Sequence, residues 1–282
     1  MKPRTVAPLL LVAALCASAV LAAPASAGSR PSRIVGGTTA SGGTAPWTAY
    51  LVAGGRSGPA GQFCGATVVS PTAVVTAAHC VVDTGIASFQ VVTGTDTLSG
   101  GGQRLDTAGI DVDPGFDPAR TGHDAAVIHL ASPTTSSPIA IATAGQARLA
   151  APGTKLLLTG WGLVANNNAA APDTLQQADI TAASNSRCRA DYGRAFNGRQ
   201  MICTTGGLPD ACRGDSGGPL VSVDGPGPTL VGIVSFGGRR CGDRRHPGVY
   251  TRVSFESSFL QAALSQPPGT SPGSSGSIGT IG

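Results

Sequence analysis

Glycine and proline are spread along the whole chain and set the strongest limit on its fold. The 282 residues include 41 Gly and 21 Pro. Both residues destabilise the interior of a helix, so this density excludes a long helical bundle or a coiled coil. Hydrophobic residues make up 41% and charged residues 12% of the chain, a balance that argues against disorder over most of its length. The sequence therefore predicts short elements joined by many turns.

Short runs rich in Val, Ile, Leu and Thr lie between turn residues and predict an all-β fold. Such runs, bounded by Gly, Pro, Asp or Ser, are typical of antiparallel barrels and sandwiches. The predicted strands are 66–69, 73–77, 89–93, 125–130, 155–160, 176–181, 219–223, 230–236 and 248–253. The stretch 132–145, rich in Ser, Thr, Pro and Ala, is interpreted as a crossing between two halves.

One helix is predicted near the end of the chain, over residues 255–264, with Ser254 as its cap. Its expected buried face consists of Phe255, Phe259, Leu260 and Ala263. Residues 266–282 are rich in Gly, Ser and Pro and predict a flexible tail.

The N-terminus has the pattern of a secretory leader. Lys2 and Arg4 precede an apolar run over residues 9–23, and Ala25-Ser26-Ala27 follows. This pattern predicts a signal peptide over residues 1–27 and a secreted, extracellular protein. A membrane anchor is the alternative, but a spanning helix needs about 20 apolar residues. No later segment is long and apolar enough for a span.

The first 33 residues also explain the formal net charge of +4. Four of the 19 Lys and Arg residues, and none of the 15 Asp and Glu residues, lie within the first 33 positions. The rest of the chain therefore holds 15 residues of each sign. This balance does not support a nucleic-acid partner.

Six of the seven cysteines remain after removal of a leader that contains Cys16. An even number in an oxidising compartment predicts three disulfides, although six cysteines allow 15 pairings. Zinc binding is the alternative for these cysteines, but the sequence contains no CxxC pair and no His at finger spacing. The six are Cys64, Cys80, Cys188, Cys203, Cys212 and Cys241.

Three separated segments carry catalytic residue types: TAAHC at 76–80, HDAAV at 123–127 and GDSGGP at 214–219. In this order and with these flanks, the chain resembles the trypsin-like (chymotrypsin-fold) serine proteases from residue 34 to about residue 264. The resemblance implies two antiparallel six-stranded β-barrels with a C-terminal helix. It also implies a protease domain over residues 34–265.

The resemblance assigns Ser216 as nucleophile, His79 as general base and Asp124 as the carboxylate that orients the imidazole. A serine hydroxyl needs a base to remove its proton as it attacks, and imidazole titrates near the working pH. Backbone N–H groups of Gly214 and Ser216 are the implied oxyanion donors. Taken singly, these residues could be a core histidine, a turn aspartate and a turn serine; their shared order makes that interpretation unfavourable.

Specificity is expected from Asp210, six residues before Ser216. In trypsin-like members a carboxylate here pairs with Arg or Lys of the substrate, although a solvated loop residue is the alternative. Gly237 and Gly248 match the pocket walls. Ser235-Phe236-Gly237 matches the segment that pairs with the substrate backbone, with Phe236 where Trp is commoner.

The resemblance further implies a zymogen. Cleavage after Arg33 would remove the propeptide 28–33 and free an ammonium group on Ile34, which would pair with Asp215. The implied disulfides are Cys64–Cys80, Cys188–Cys203 and Cys212–Cys241.

We therefore predict a secreted serine endopeptidase that cleaves after Arg or Lys, with no cofactor and no metal. Protein or peptide substrates and protein protease inhibitors are the expected partners of a monomer that binds neither nucleic acid nor membrane. One alternative is a protease of narrower specificity, shaped by Arg213 and nearby basic residues. The other is an inactive binding module, which usually lacks a triad residue or the oxyanion glycine.

Overall fold

The computed structural model describes residues 1, 34–82, 84–119, 122–166 and 171–267. The chain divides into two compact units, residues 1–31 and 32–282, and every element below belongs to the second. Apart from Met1, the predicted signal peptide and propeptide lie outside the described residues. So does the predicted tail beyond residue 267, and these boundaries stay predictions.

The described residues form fifteen strands and two α-helices, with short 3₁₀ helices between some of them. The strands are β1 (Thr38–Thr39), β2 (Thr48–Ala53), β3 (Gln62–Ser70), β4 (Ala73–Thr76), β5 (Phe89–Thr93), β6 (Gln103–Leu105), β7 (Thr107–Val112), β8 (Ala126–Leu130), β9 (Ala140–Ile141), β10 (Lys155–Gly160), β11 (Gln176–Thr181), β12 (Met201–Cys203), β13 (Pro219–Ser222), β14 (Thr229–Phe236) and β15 (Val249–Arg252). The helices are α1 (Asn185–Tyr192) and α2 (Val253–Ser265).

The strands form two antiparallel sheets, as the all-β prediction requires. The first has the order β6-β5-β2-β3-β4-β8-β7, and the second has the order β1-β11-β10-β13-β14-β15-β12. Strand β9 joins the second sheet by parallel pairing with β14. Within the described residues the sheets thus contain seven and eight strands, where the family resemblance implies six in each barrel. Part of this difference comes from β1 and β9, which have two residues each.

The two sheets share one continuous cluster of buried side chains. Strand β8 is buried at all five positions, and its sequence AVIHL is nearly continuously apolar. Tyr50 in β2 and Trp161 after β10 meet edge to face, with ring centroids 5.1 Å apart and planes at 67°. This geometry adds to the stabilisation from apolar burial.

The segment 132–145 connects the two sheets, as its composition predicts. The backbone N–H of Ile139 donates to the Val68 carbonyl in β3, over 3.0 Å. The N–H of Ala142 donates to the Leu230 carbonyl in β14, also over 3.0 Å. The chain therefore passes from one sheet to the other within four residues.

Helix α2 lies in the predicted region, but its cap and its buried face differ from the prediction. It begins at Val253 with Arg252 as N-cap, so Ser254 is a first-turn residue. Phe255 is 37% exposed, whereas Glu256 is 3% exposed. At 3.6 residues per turn, Glu256 lies on the same side as Val253 and Leu260, and Phe255 lies on the opposite side. Among the described residues, neither helix is long and apolar enough to cross a membrane.

Three disulfides cross-link the fold, and they join the pairs that the family resemblance implies. Cys64–Cys80 ties β3 to the 3₁₀ helix that follows β4, and Cys188–Cys203 ties α1 to β12. Cys212–Cys241 joins two loops of the second half. The first and third bridges flank the predicted catalytic and specificity residues.

Candidate active site

His79 and Asp124 lie beside two paired strands, at the same end of the first sheet. His79 lies in the 3₁₀ helix after β4, and Asp124 lies two residues before β8, the strand that pairs with β4. Asp124 Oδ2 is 2.8 Å from His79 Nδ1, and Oδ1 accepts from the His79 backbone N–H over 2.9 Å. Two contacts with one residue therefore fix the orientation of both the carboxylate and the ring.

The second half of the chain also holds Asp124. Ser235 Oγ in β14 donates to Asp124 Oδ2 over 2.5 Å, and Thr251 Oγ1 in β15 donates to the Asp124 carbonyl over 2.9 Å. Burial alone would raise the pKa of Asp124, but the hydrogen bonds from His79 and Ser235 hold that pKa below its usual value. Ser235 was predicted only to line the substrate site, so its contact with Asp124 is an additional finding.

Ser216 lies in a tight turn just before β13. Its carbonyl accepts from the Gly65 N–H over 2.7 Å. The Cys80 Sγ atom lies 3.6 Å from the Ser216 carbonyl oxygen and 3.7 Å from His79 Nε2. The disulfide sulfur therefore lies against both the serine backbone and the histidine ring.

Glycine is required directly after Ser216. Gly217 has φ +79, and its N–H donates to the Val234 carbonyl over 2.8 Å. A Cβ at this position would overlap Thr76 Oγ1 and approach the Gly65 carbonyl oxygen to 2.5 Å. Both the conformation and the space therefore exclude a larger residue.

The backbone around Gly214 is fixed by hydrogen bonds on both sides. The Arg213 carbonyl accepts from the Leu163 N–H over 2.8 Å, and the Gly214 carbonyl accepts from Gln62 Nε2 over 2.7 Å. In a trans peptide the N–H points opposite to the carbonyl, so the first bond also sets the direction of the Gly214 N–H. Within the part of the chain that the structure describes, neither Gly214 nor Ser216 uses its N–H in a hydrogen bond. Gln62 was not predicted from the sequence.

A cavity of 140 Å³ lies beside Ser216. All the residues predicted to bind substrate line it, namely Asp210, Ser235, Phe236, Gly237 and Gly248. A Cβ on Gly248 would lie 2.7 Å from Asp210 Oδ1. A side chain there would therefore crowd the carboxylate.

Asp210 is 3% exposed, yet its carboxylate is only partly satisfied. Oδ2 accepts from the Gly242 N–H over 2.8 Å, while Oδ1 has no hydrogen-bond partner among the described residues. Burial raises the pKa of Asp210 to about 6, against the opposing effect of backbone hydrogen bonds. The hydroxyl of Tyr250, close to Gly248, is also buried and unpartnered. Sequence reasoning missed Tyr250, although it lies two residues after a predicted pocket glycine.

The rim of the cavity is held by hydrogen bonds and carries exposed basic residues. Asn166 makes two hydrogen bonds with the backbone of Cys241: Nδ2 donates to its carbonyl over 3.0 Å, and Oδ1 accepts from its N–H over 2.7 Å. Arg213 and Arg239 line the cavity, and both are exposed.

Two of the three predicted activation residues lie in the interior of the described structure. Ile34 and Asp215 are both completely buried, and Arg33 lies outside the described residues. Asp215 accepts from the N–H groups of Gly162 and Cys212, over 2.8 and 2.9 Å. Burial nevertheless raises the pKa of Asp215 to about 7.

Comparison with known proteins agrees with this geometry. The trypsin family profile matches residues 34–260. The chain is 37% identical over 226 residues to a trypsin of Saccharopolyspora erythraea, an alignment that covers 78% of this chain and 93% of that protein. It is 35% identical over 228 residues to trypsin beta of Drosophila erecta, covering 79% and 85% respectively. It is also 35% identical over 253 residues to rat transmembrane protease serine 9, covering 85% of this chain but only 23% of that longer protein.

The protein is therefore a serine endopeptidase. More particularly, the chain belongs to the trypsin family, and its substrates are proteins or peptides.

Proposed function

We propose that the protein is a secreted endopeptidase that hydrolyses peptide bonds after Arg or Lys through His79, Asp124 and Ser216. The contact of His79 Nδ1 with Asp124 supports a reactive lone pair on Nε2, which lies 3.7 Å from Cys80 Sγ. The implied leader supports secretion.

The reaction follows from this arrangement in two halves. Ser216 Oγ attacks the substrate carbonyl carbon while His79 accepts the hydroxyl proton, and the N–H groups of Gly214 and Ser216 stabilise the resulting oxyanion. The C–N bond then breaks as His79 returns the proton to the leaving amine, which leaves an ester on Ser216. Water, deprotonated by His79, attacks this ester; the bond to Ser216 Oγ then breaks as His79 returns the proton to that oxygen, and the acid is released.

The observation that carries the specificity is the Asp210 carboxylate in the cavity beside Ser216. It is almost completely buried, and Oδ1 has no partner among the described residues. A buried, incompletely paired carboxylate is unfavourable, and a cationic side chain in the cavity would relieve it. An apolar side chain would leave the carboxylate as it is, so Arg and Lys are the expected residues before the cleaved bond.

Replacing Asp210 by Ser tests this assignment. We expect the ratio of kcat/KM on Arg and Phe ester substrates to fall about 30-fold or more, because losing one partner of a buried charge pair costs about 2–5 kcal/mol. Asp243→Ser is the matched control, since it removes an exposed carboxylate that contacts His246. Ser216→Ala protein provides the blank, and it should not react with a fluorophosphonate label.

An unchanged Arg-to-Phe ratio in Asp210→Ser protein would exclude Asp210 as the specificity residue. An equal fall in the Asp243→Ser control would assign the preference to the charge of the rim instead. Reaction of the Ser216→Ala protein with the label would contradict the role of Ser216 itself.

Activation by cleavage after Arg33 is part of the proposal. The Asp210 N–H donates to the Val35 carbonyl over 3.2 Å, so the segment next to Ile34 contacts the specificity residue directly. An ammonium group on Ile34 would compensate the buried charge of Asp215. Because Asp210 selects Arg, mature enzyme is expected to accept its own precursor.

A narrower specificity is the second candidate, and the exposed Arg213 and Arg239 at the cavity favour it. These cations would attract substrates with acidic residues near the cleaved bond.

A further inference from the structure

Asp113, His123 and Glu256 form a cluster next to Asp124. Asp113 follows the end of β7, His123 immediately precedes Asp124, and Glu256 lies in the first turn of α2. His123 Nδ1 is 3.3 Å from Asp113 Oδ1 and 3.5 Å from Glu256 Oε1. The three ligand atoms all lie within 4.8 Å of one another. Three elements thus direct one nitrogen and two carboxyl oxygens toward a common point.

Hydrogen bonds account for this cluster only in part: Asp113 Oδ1 accepts from the Gly115 N–H over 2.7 Å, whereas the contacts of His123 Nδ1 are longer than hydrogen bonds of this kind. Charge-assisted N–H···O bonds measure about 2.7–2.9 Å, which is shorter than either distance from His123 Nδ1. Among the described residues, both His123 Nδ1 and Glu256 Oε1 are buried without a hydrogen-bond partner. The side chains of Asp113 and Glu256 are only 6% and 3% exposed. Two buried carboxyl groups this close together are difficult to ionise at once without a cation between them, because like charges repel.

We propose that Asp113, His123 and Glu256 bind a Zn²⁺ ion. In a tetrahedral zinc site with bonds of about 2.0–2.1 Å, neighbouring ligand atoms are about 3.3–3.4 Å apart. The distances of 3.3 and 3.5 Å from His123 Nδ1 match this spacing. A dication also balances the charge of two carboxylates.

The ligand types favour zinc over calcium. Calcium takes six to eight oxygen ligands, whereas imidazole combined with carboxylates suits zinc. The His123 side chain is 31% exposed, but its Nδ1 atom is buried. A water molecule in the fourth position would therefore enter together with the ion.

The backbone of His123 and the neighbouring Gln200 contribute to the site. His123 has φ +53, a left-handed conformation that is uncommon outside glycine and that aims its ring into the cluster. Its Nε2 is 2.8 Å from the Gln200 side-chain nitrogen. Zinc on Nδ1 leaves the ring proton on Nε2, so the Gln200 amide must rotate to present its oxygen. Such an outer acceptor is usual for zinc-bound histidine.

The ion would affect the predicted catalytic centre indirectly, by holding the segment that carries Asp124 in place. The Asp113 N–H donates to the Ala125 carbonyl over 3.0 Å, so Asp113 and His123 bracket the segment that carries Asp124. Zinc would join this segment to α2.

Calorimetric titration of the full-chain Ser216→Ala protein with ZnCl₂ tests the proposal, together with thermal unfolding. We expect one ion per chain, a dissociation constant of about 1 μM or less, which corresponds to about −8 kcal/mol, and a raised Tm. Glu256→Gln and His123→Asn should each weaken binding at least about tenfold. Even replacing a residue that only contacts a metal ligand can reduce affinity by this factor. Asn tolerates the left-handed backbone, so His123→Asn preserves the fold if Glu256→Gln does not.

Two matched controls remove other His–carboxylate pairs. His246→Asn alters the exposed pair with Asp243, and His79→Gln alters the pair with Asp124. Both should bind zinc like the parent protein. No binding by the parent, unchanged affinity in folded Glu256→Gln or His123→Asn protein, or loss of binding in His79→Gln or His246→Asn would each overturn the proposal.

Discussion

Gln62 lies outside the predicted site, yet it holds the backbone on which that site depends. Its Nε2 donates to the Gly214 carbonyl over 2.7 Å. An added Cβ on Gly214, which has φ +95, would lie 3.2 Å from Gln62 Oε1. The side chain therefore restrains the peptide that follows the proposed oxyanion donor.

Gln62→Ala should lower kcat about 3- to 10-fold with little change in KM. One intramolecular hydrogen bond contributes about 0.5–1.5 kcal/mol, and this one acts on a group that contacts the transition state. Steady-state kinetics on an Arg ester would measure both constants. Gln90→Ala is the control, because it removes an exposed hydrogen bond to Asp106 in the first sheet. A change in KM alone, or an equal loss in the control, would show that Gln62 does not position Gly214.

Candidate site residues could be proposed from the sequence where a local motif carries them. His79, Asp124, Ser216 and Asp210 all lie within short patterns; the structure pairs His79 with Asp124 and places Asp210 and Ser216 at one cavity. Gln62 could not be found in this way, because its partner Gly214 is 152 positions away in the sequence.

Phe255 was wrongly placed on the buried face, and the burial of Glu256 was missed, for a different reason. The periodicity rule places apolar side chains inside, whereas the interior beneath α2 contains His123 and Asp113, which contact a carboxyl group. A buried polar cluster of this kind has no signature in a single sequence.

At the scale of elements, β7 and β8 are joined by a buried polar pair as well as by their backbone ladder. His129 Nε2 is 2.8 Å from Asp111 Oδ2. Asp111 is completely buried, and its Oδ1 has no partner among the described residues. β8 also leads directly from Asp124, so this pair stabilises the strand behind the predicted site.

Removing either member should destabilise the fold strongly. Asp111→Ala and His129→Ala should each lower the free energy of unfolding by about 3 kcal/mol or more, because the remaining group stays buried and unpaired. The double variant should lose less than the sum, by about 0.5–3 kcal/mol. Urea unfolding in the Ser216→Ala background measures all four proteins. Additive losses would show that the two side chains do not interact.

The nine predicted strands all correspond to observed strands, most of them within one or two residues at each end. Strand β2, with the sequence TAYLVA, was missed because it is buried at five successive positions. A short continuous apolar run cannot be told from a buried helical segment by periodicity. Helix α1 was missed because only Cys188 is buried in it. The Cys188–Cys203 bridge and the neighbouring strand, not an apolar stripe, hold it in place.

At the scale of the whole molecule, the buried Asp215 carboxyl predicts that the stability of the uncleaved chain depends on pH. Burial raises its pKa to about 7 from an ordinary value of 3.8. Between these two pH values the Asp215 carboxyl is ionised in the unfolded chain but still protonated in the folded protein. The folded state therefore binds more protons than the unfolded state. The stabilisation linked to the protonated group is complete below pH 3.8 and is lost as pH rises through about 7.

The uncleaved precursor carrying Arg33→Gln and Ser216→Ala should therefore lose stability, relative to its Asp215→Asn version, as pH rises from about 4 to 7. The difference should reach a few kcal/mol, since one pKa unit corresponds to about 1.4 kcal/mol. Urea unfolding across this pH range measures it. In a Ser216→Ala chain that begins at Ile34, the new ammonium group should reduce the dependence. If the free energy of unfolding depended on pH in the same way in the protein with Asp215 and in its Asp215→Asn variant, the prediction would be wrong.

Because of the position of the Cys64–Cys80 bridge, enzyme activity should depend on the compartment in which the chain folds. Its sulfur lies against both His79 and the Ser216 backbone. A copy left in a reducing cytoplasm would lack this disulfide and the support that it gives to the proposed nucleophile and base. Disulfides persist mainly in oxidising surroundings. If the chain is exported as proposed, a cell that makes this enzyme should be protected from copies that stay in the cytoplasm, independently of any inhibitor.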